Sequence, residues 1–177
     1  NALNEKGDGI RKMCGVLSED VGLYEPLSVY DNLKYFAQIY GMKKADYNNR
    51  IDELLSKFEI SDKKYLPIKG FSTGMKKKVA LIRAILHKPR IVLLDEPTNG
   101  LDPVSTERLR HLIESMSKND HSTFILTTHN LDEVEKLCDK ITIMRHGKNM
   151  YTESVKTIYE NKQDLLTLYM NVEDNKL

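Results

Sequence analysis

Asp95 and Glu96 stand side by side at the end of the run Ile91-Val-Leu-Leu, and Pro97 follows at once. A short β-branched and leucine run of this kind predicts a buried strand, and the proline predicts its end. Successive strand residues point to opposite faces, so two neighbouring carboxylates reach one site only where the chain is already turning. A third carboxylate, Asp102, follows within Thr98-Asn-Gly-Leu-Asp-Pro103. Acids placed this way suit a magnesium–nucleotide site in which one carboxylate holds the metal and its neighbour handles water. Taken alone, the pair also fits a strand that ends in solvated acids. No Gly-x-x-x-x-Gly-Lys-[Ser/Thr] loop that would cradle phosphates occurs in the 177 residues.

Two further positions have the right chemistry for the same rim. His129 ends the run Phe124-Ile-Leu-Thr-Thr128 just before a helical pattern. Ligands of open α/β sheets bind beyond the carboxyl ends of strands, so His129 is expected on the same edge as Glu96. There an imidazole can hydrogen-bond a phosphate oxygen or a water. The alternative is a polar residue at a strand–helix turn. Ser72-Thr73-Gly74 opens another helix, whose exposed amides attract anions. The plainer reading makes Ser72 an N-cap and leaves Lys76, Lys77 and Lys78 as a solvated helix face.

The elements that must position these groups follow from periodicity. Residues 1–12 read as a loop or fraying edge, and Met13–Leu17 as a short strand. Ser28 is an N-cap with Asp31 completing a capping box. The helix that follows carries Leu33, Phe36, Ala37 and Tyr40, and Gly41 closes it. A second helix presents Ile51, Leu54, Leu55 and Phe58. Residues 28–70 show no strand pattern, so 28–88 reads as a helical lobe inserted between strands. Its last helix runs from Met75 to about His87, with Met75, Val79, Ile82 and Leu86 as the buried stripe. Strands and helices then alternate: strand 91–95, helix 104–117, strand 123–128, helix 131–138 and strand 141–144. A turn at His146-Gly147 lets 149–151 pair back as a hairpin, and residues 155–177 read as an amphipathic helical tail with polar breaks. The alternation predicts an α/β fold with a largely parallel sheet. Expected boundaries are 1–27, 28–88, 89–154 and 155–177.

Bulk properties exclude several classes. The length suits a domain with a real core. The net charge of +1 implies no nucleic-acid or other polyanion partner. Cys14 and Cys138 lack metal or redox spacing and read as buried free thiols of a reducing compartment. The longest apolar runs are about four residues, against about 20 for a membrane span.

The segment Phe71-Ser-Thr-Gly-Met-Lys-Lys-Lys-Val-Ala-Leu-Ile-Arg, continued through Leu94-Asp-Glu-Pro-Thr-Asn-Gly-Leu-Asp-Pro103, resembles the ATPase subunit of an ABC transporter. Thr127-Thr-His-Asn-Leu-Asp-Glu resembles the switch-histidine region of that family, and Gly15-Val-Leu-Ser-Glu19 its lid, the Q-loop. The resemblance implies a P-loop NTPase (RecA-like) core with an inserted helical subdomain, using ATP and Mg2+. It implies that Asp95 anchors the magnesium hydration shell, assisted by Glu19, and that Glu96 polarises the attacking water. His129 would contact the γ-phosphate. Ser72 and Gly74 would contact nucleotide held by a second ATPase subunit, and Asp102 would lie in the loop crossing between the two. A membrane-spanning permease subunit would dock near Glu19 to Tyr40, placing the protein on the cytoplasmic face of the membrane.

Departures sharpen the expectation. Phe71-Ser-Thr-Gly-Met stands where Leu-Ser-Gly-Gly-Gln is usual, and Glu19 where glutamine is usual. Such forms resemble the exporter branch that moves drugs, antibiotics or polysaccharides. The family's phosphate loop would precede residue 1, so the chain reads as a fragment lacking it and inactive alone. The strand missing with it is expected beside Ile91–Asp95, leaving an apolar edge through which copies could self-associate. Two alternatives stand: a soluble family member acting on ribosomes or DNA, and a non-catalytic interaction module.

Overall fold

Gly15 shows how closely the central elements pack. A Cβ on it would lie 1.9 Å from the backbone oxygen of Ala84 in this computed structural model, which describes residues 9–173. Positions 1–8, part of the stretch expected as a loop, and 174–177, the end of the tail, lie outside the described residues. Contacts divide the chain into two units, with the boundary after Thr127.

In the first unit, strands β1 (Cys14–Leu17), β2 (Ile91–Asp95) and β3 (Thr123–Thr127) form a parallel sheet in that spatial order. The register sets Leu17 against Leu94 and Asp95 against Thr127. Leu17, Val92 and Leu94 are buried and supply the core face. Residues 9–13 are helical, where a loop was expected, and the strand starts at Cys14.

The sheet order corrects one expectation. β2 is flanked on both sides, so Ile91–Asp95 offers no open edge. Among the described residues, β1 and β3 are the edge strands of this sheet. β3 leaves Thr123, Ile125 and Thr127 exposed.

The inserted lobe follows the periodic pattern. Helix α1 (Val29–Ile39) is capped by Ser28, whose hydroxyl accepts from the Asp31 amide at 3.0 Å. The same hydroxyl donates to the Asp31 carboxylate at 2.6 Å. The reciprocal bond of a full capping box would use the Ser28 backbone amide instead. Helix α2 (Lys44–Lys57) buries Ile51, Leu54 and Leu55, with Phe58 just beyond it. Over 28–70 the β-pairing is confined to an isolated bridge, Ser28 to Pro67. Helix α3 (Thr73–Ile85) is buried almost all round from Val79 onward, a wider face than the expected stripe, while Met75 is only half-buried. Helix α4 (Pro103–Asn119) turns Leu109, Leu112, Ile113 and Met116 inward as predicted.

The second unit contains helix α5 (Leu131–Leu137), strands β4 (Lys140–Arg145) and β5 (Lys148–Ser154), and helices α6 (Val155–Glu160) and α7 (Leu165–Glu173). Its core gathers Ile143, Ile158, Leu165, Leu168 and Val172. β4 pairs antiparallel with β5 and does not extend the parallel sheet among the described residues, contrary to the alternation. The cause is local. His146 and Gly147 take positive φ of 49° and 73°, the two-residue turn that folds a strand back on itself. The tail is helical with a polar break, Asn161-Lys-Gln-Asp164, between α6 and α7. Both cysteines are free and half-buried, less enclosed than expected.

Candidate functional site

The end of β2 is where the chain turns, and it turns at Glu96. This residue has φ 45°, a left-handed conformation that costs a non-glycine residue about 1–3 kcal/mol. Its amide donates to Thr127 O at 3.0 Å, its carbonyl accepts from Asn99 N at 3.2 Å, and Leu101 N donates to Thr98 O at 2.9 Å. Gly100, at φ 79°, completes the turn. The twist releases Glu96 from strand alternation. Asp95 and Glu96 therefore line one cleft of about 410 Å³ together with Ser18, Glu19, Thr73 and Lys77. The Asp95 carboxylate accepts a hydrogen bond from the Thr127 hydroxyl on the neighbouring strand.

The lysines of α3 are not a solvated face. Lys77 donates from Nζ to the backbone oxygens of Glu96 and, at 2.8 Å, of Asn99. Lys76 pairs with Glu25, and Lys78 lies 3.2 Å from the Asp102 carboxylate. All three ammonium groups reach back to segments that converge on the start of α3. Lys77 was missed because its partners are main-chain atoms, which no residue type advertises. One sequence signal was available: Thr73 and Lys77 are four apart on one helix and so share a face.

Ser72 is exposed and caps α3, accepting from Met75 N at 3.3 Å. Gly74 has a reason inside the chain: a Cβ there would lie 2.7 Å from Gly100 O. Asp102 is the N-cap of α4, bonded to the Ser105 amide at 2.9 Å and to the Ser105 hydroxyl. Those bonds, with Lys78 beside them, hold its carboxyl well below the usual carboxylate range. Glu19 is exposed in the segment between β1 and α1. Arg83 supports that segment, donating to Val21 O at 2.7 Å, Gly22 O at 2.8 Å and Val16 O at 3.2 Å while lying over the Phe36 ring. His129 belongs to the second unit, two residues past the end of β3. The structure thus brings Glu19, Asp95 and Glu96 to one cleft, and sets Ser72, Gly74 and Asp102 at helix starts of the same unit.

The donor set is hard oxygen, which suits magnesium. Among the described residues, no group of three His, Cys, Asp or Glu is close enough to hold a metal by itself.

Comparison with known proteins gives consistent matches. Residues 21–135 match a family model described as an AAA domain, putative AbiEii toxin, Type IV TA system. The chain is 34% identical over 165 residues to the ABC transporter ATP-binding protein NatA of Bacillus subtilis, covering 92% of this chain and 67% of the relative. It is 36% identical over 148 residues to the bacitracin transport ATP-binding protein BcrA of Bacillus licheniformis, covering 84% of this chain and 47% of the relative. A solved ATP-binding subunit of an ABC transporter superposes with a TM-score of 0.85 at 28% identity, over 97% of this chain and 72% of that one. The chain therefore spans from about half to two thirds of the length of these curated relatives. No helix among the described residues is long and apolar enough to cross a membrane.

Proposed function

The chain belongs to the family of ABC transporter ATP-binding proteins, and from that premise we propose that it supplies the acidic side of a Mg-ATP hydrolysis site driving export. The observation that carries this reading is the convergence of Glu19, Asp95 and Glu96 on one cleft at the carboxyl end of β2. Magnesium bound with the nucleotide would neutralise charge on the phosphate oxygens. Asp95 would hold the hydration shell of the ion, with Glu19 as a second oxygen partner. Glu96 orients and polarises the attacking water, and its twisted backbone aims the carboxylate past the strand end. His129, placed by sequence order, contacts the γ-phosphate. Ser72 and Gly74 face nucleotide held by a second ATPase subunit, and Asp102 stands in the loop crossing between subunits.

The export direction rests on the variant signature Phe71-Ser-Thr-Gly-Met75 and on relatives such as the bacitracin transport protein. A permease subunit would dock on the exposed apolar surface of Tyr24, Leu27, Tyr35 and Ile39. That contact would hold the protein peripherally at the cytoplasmic face of the membrane.

The 177 residues hold no lysine-bearing phosphate loop. Lysine and backbone amides supply most of the cradle for a triphosphate, so this chain alone binds Mg-ATP weakly and hydrolyses none. Isothermal titration tests the first part, and micromolar single-site binding would refute it. Adding a polypeptide that carries such a loop should restore hydrolysis. Activity that then survives both Asp95→Asn and Glu96→Gln would end the catalytic assignment.

A further inference from the structure

The Glu96 turn holds a strained residue on a loop that is only partly enclosed. Glu96 has φ 45° and is half-buried, as is Thr98; Pro97 is buried, and Asn99 and Gly100, which complete the turn, are exposed. Burial anchors the turn at Pro97 and leaves its Asn99–Gly100 end open. What crosses it is Lys77, whose ammonium donates to the oxygens at both ends, Glu96 O and Asn99 O. A cation bridging two carbonyls makes charge-assisted hydrogen bonds, the stronger kind. The stem of Lys77 rises from α3 one turn after Thr73, and Gly74 already lies against Gly100. The bridge therefore ties the backbone of Glu96 directly to the start of α3.

We propose that Lys77 is the positioning residue of the acidic pair, clamping the 96–99 turn so that Glu96 stays left-handed and shares the cleft with Asp95. In this role Lys77 touches neither nucleotide nor water. It transmits the position of the α3 start to Glu96, so a shift of the Ser72–Gly74 segment on contact with a second subunit would move the water-orienting carboxylate. The assignment deepens the hydrolysis reading and rests on it for its purpose, but the clamp itself can be measured without nucleotide.

The test is amide hydrogen exchange and carboxyl 13C NMR on the full chain, comparing the parent with Lys77→Met, Lys77→Arg and Lys76→Met. Lys77→Met should raise exchange of the Asn99 and Leu101 amides roughly ten- to a hundredfold, the scale of one charge-assisted hydrogen bond. It should also shift the Glu96 carboxyl resonance. Lys77→Arg, which keeps the charge and the donors, should restore both to within about twofold of the parent. Lys76→Met removes the pair with Glu25 and should leave the turn as it was. Unchanged exchange in Lys77→Met overturns the clamp, and so does equal opening in Lys76→Met. If Lys77→Met does not fold, the double variant Glu96→Gly/Lys77→Met decides. Glycine takes φ 45° without penalty, so the double variant should fold with the turn protected. A double variant that is equally unfolded assigns Lys77 to general stability and refutes the proposal. None of these outcomes depends on ATP, so the hydrolysis reading fails or stands separately.

Discussion

Replacing Gly15 by alanine should damage the first unit far more than a single methyl suggests. An ideal Cβ at Gly15 lies 1.9 Å from Ala84 O and 2.9 Å from Pro89 Cγ. Restoring ordinary contact with the carbonyl requires β1 and α3 to separate by about 1.5 Å. The nearer partner is backbone in a helix and the other is a buried proline ring, so no rotamer change can relieve the clash. Overpacking costs about 1–3 kcal/mol, and a backbone clash belongs at the top of that range. Against this, alanine gains about 0.4–1 kcal/mol by restricting the unfolded chain. The net loss is about 2–3 kcal/mol, or roughly 4–12 °C in melting temperature for a chain of this size. Thermal denaturation followed by circular dichroism measures it. Gly9→Ala, where a Cβ meets nothing within 4 Å, serves as the control. Because β1 leads into Ser18 and Glu19, the variant should also displace those residues in the cleft. A Gly15→Ala protein melting within about 1 °C of the parent would refute the packing argument.

Three further outcomes follow from named contacts. Asp102→Ala removes the cap of α4 and the partner of Lys78, and should cost about 1–2 kcal/mol in urea denaturation, whereas Asp102→Asn, a good cap without the charge, should keep more than half of that. Gly74→Ala places a Cβ 2.7 Å from Gly100 O, so the amide resonances of Asn99–Leu101 should move while far-UV circular dichroism does not. His87 stacks on Tyr40, its Nε2 lies 3.1 Å from Cys14 O, and burial pushes its pKa down to about 4 from an unfolded value near 6.5. The folded state thus favours neutral His87, so its contribution is complete above pH 6.5 and is lost as pH falls toward 4. Allowing for solvent that still reaches the ring, the loss is on the order of 1–2 kcal/mol, and His87→Phe should show a flatter stability profile between pH 7 and 4.5.

The acidic cleft illustrates how local chemistry and distant packing divide the work. That Ile91–Asp95 is a strand ending in acids was plain from its residues, because β-branched runs and a terminating proline act within a few positions. The identity of the neighbouring strands was not plain. β2 lies between β1 and β3, and nothing in Ile91–Asp95 states which strands supply its hydrogen-bond partners. Among the described residues, the open edge expected along β2 therefore falls on β1 and β3 instead. In the second unit, the turn at His146-Gly147 and the strand that pairs back after it were legible in the residues, and β4 and β5 form that hairpin; what the alternation did not show is that β4 stands outside the parallel sheet among the described residues.

By itself the sequence determined the helices of the inserted lobe, the caps at Ser28 and Ser72, the strand carrying Asp95 and Glu96, and the family to which those motifs belong. These features depend on periodicity, capping and short-range sterics, which are written into neighbouring residues. Only the tertiary structure decided that Gly15 lies against Ala84, that Gly74 lies against Gly100, and that Lys77 bridges the carbonyls of Glu96 and Asn99. Those contacts join segments far apart in the chain through backbone atoms that every residue shares, so no residue type could announce them before the chain had folded.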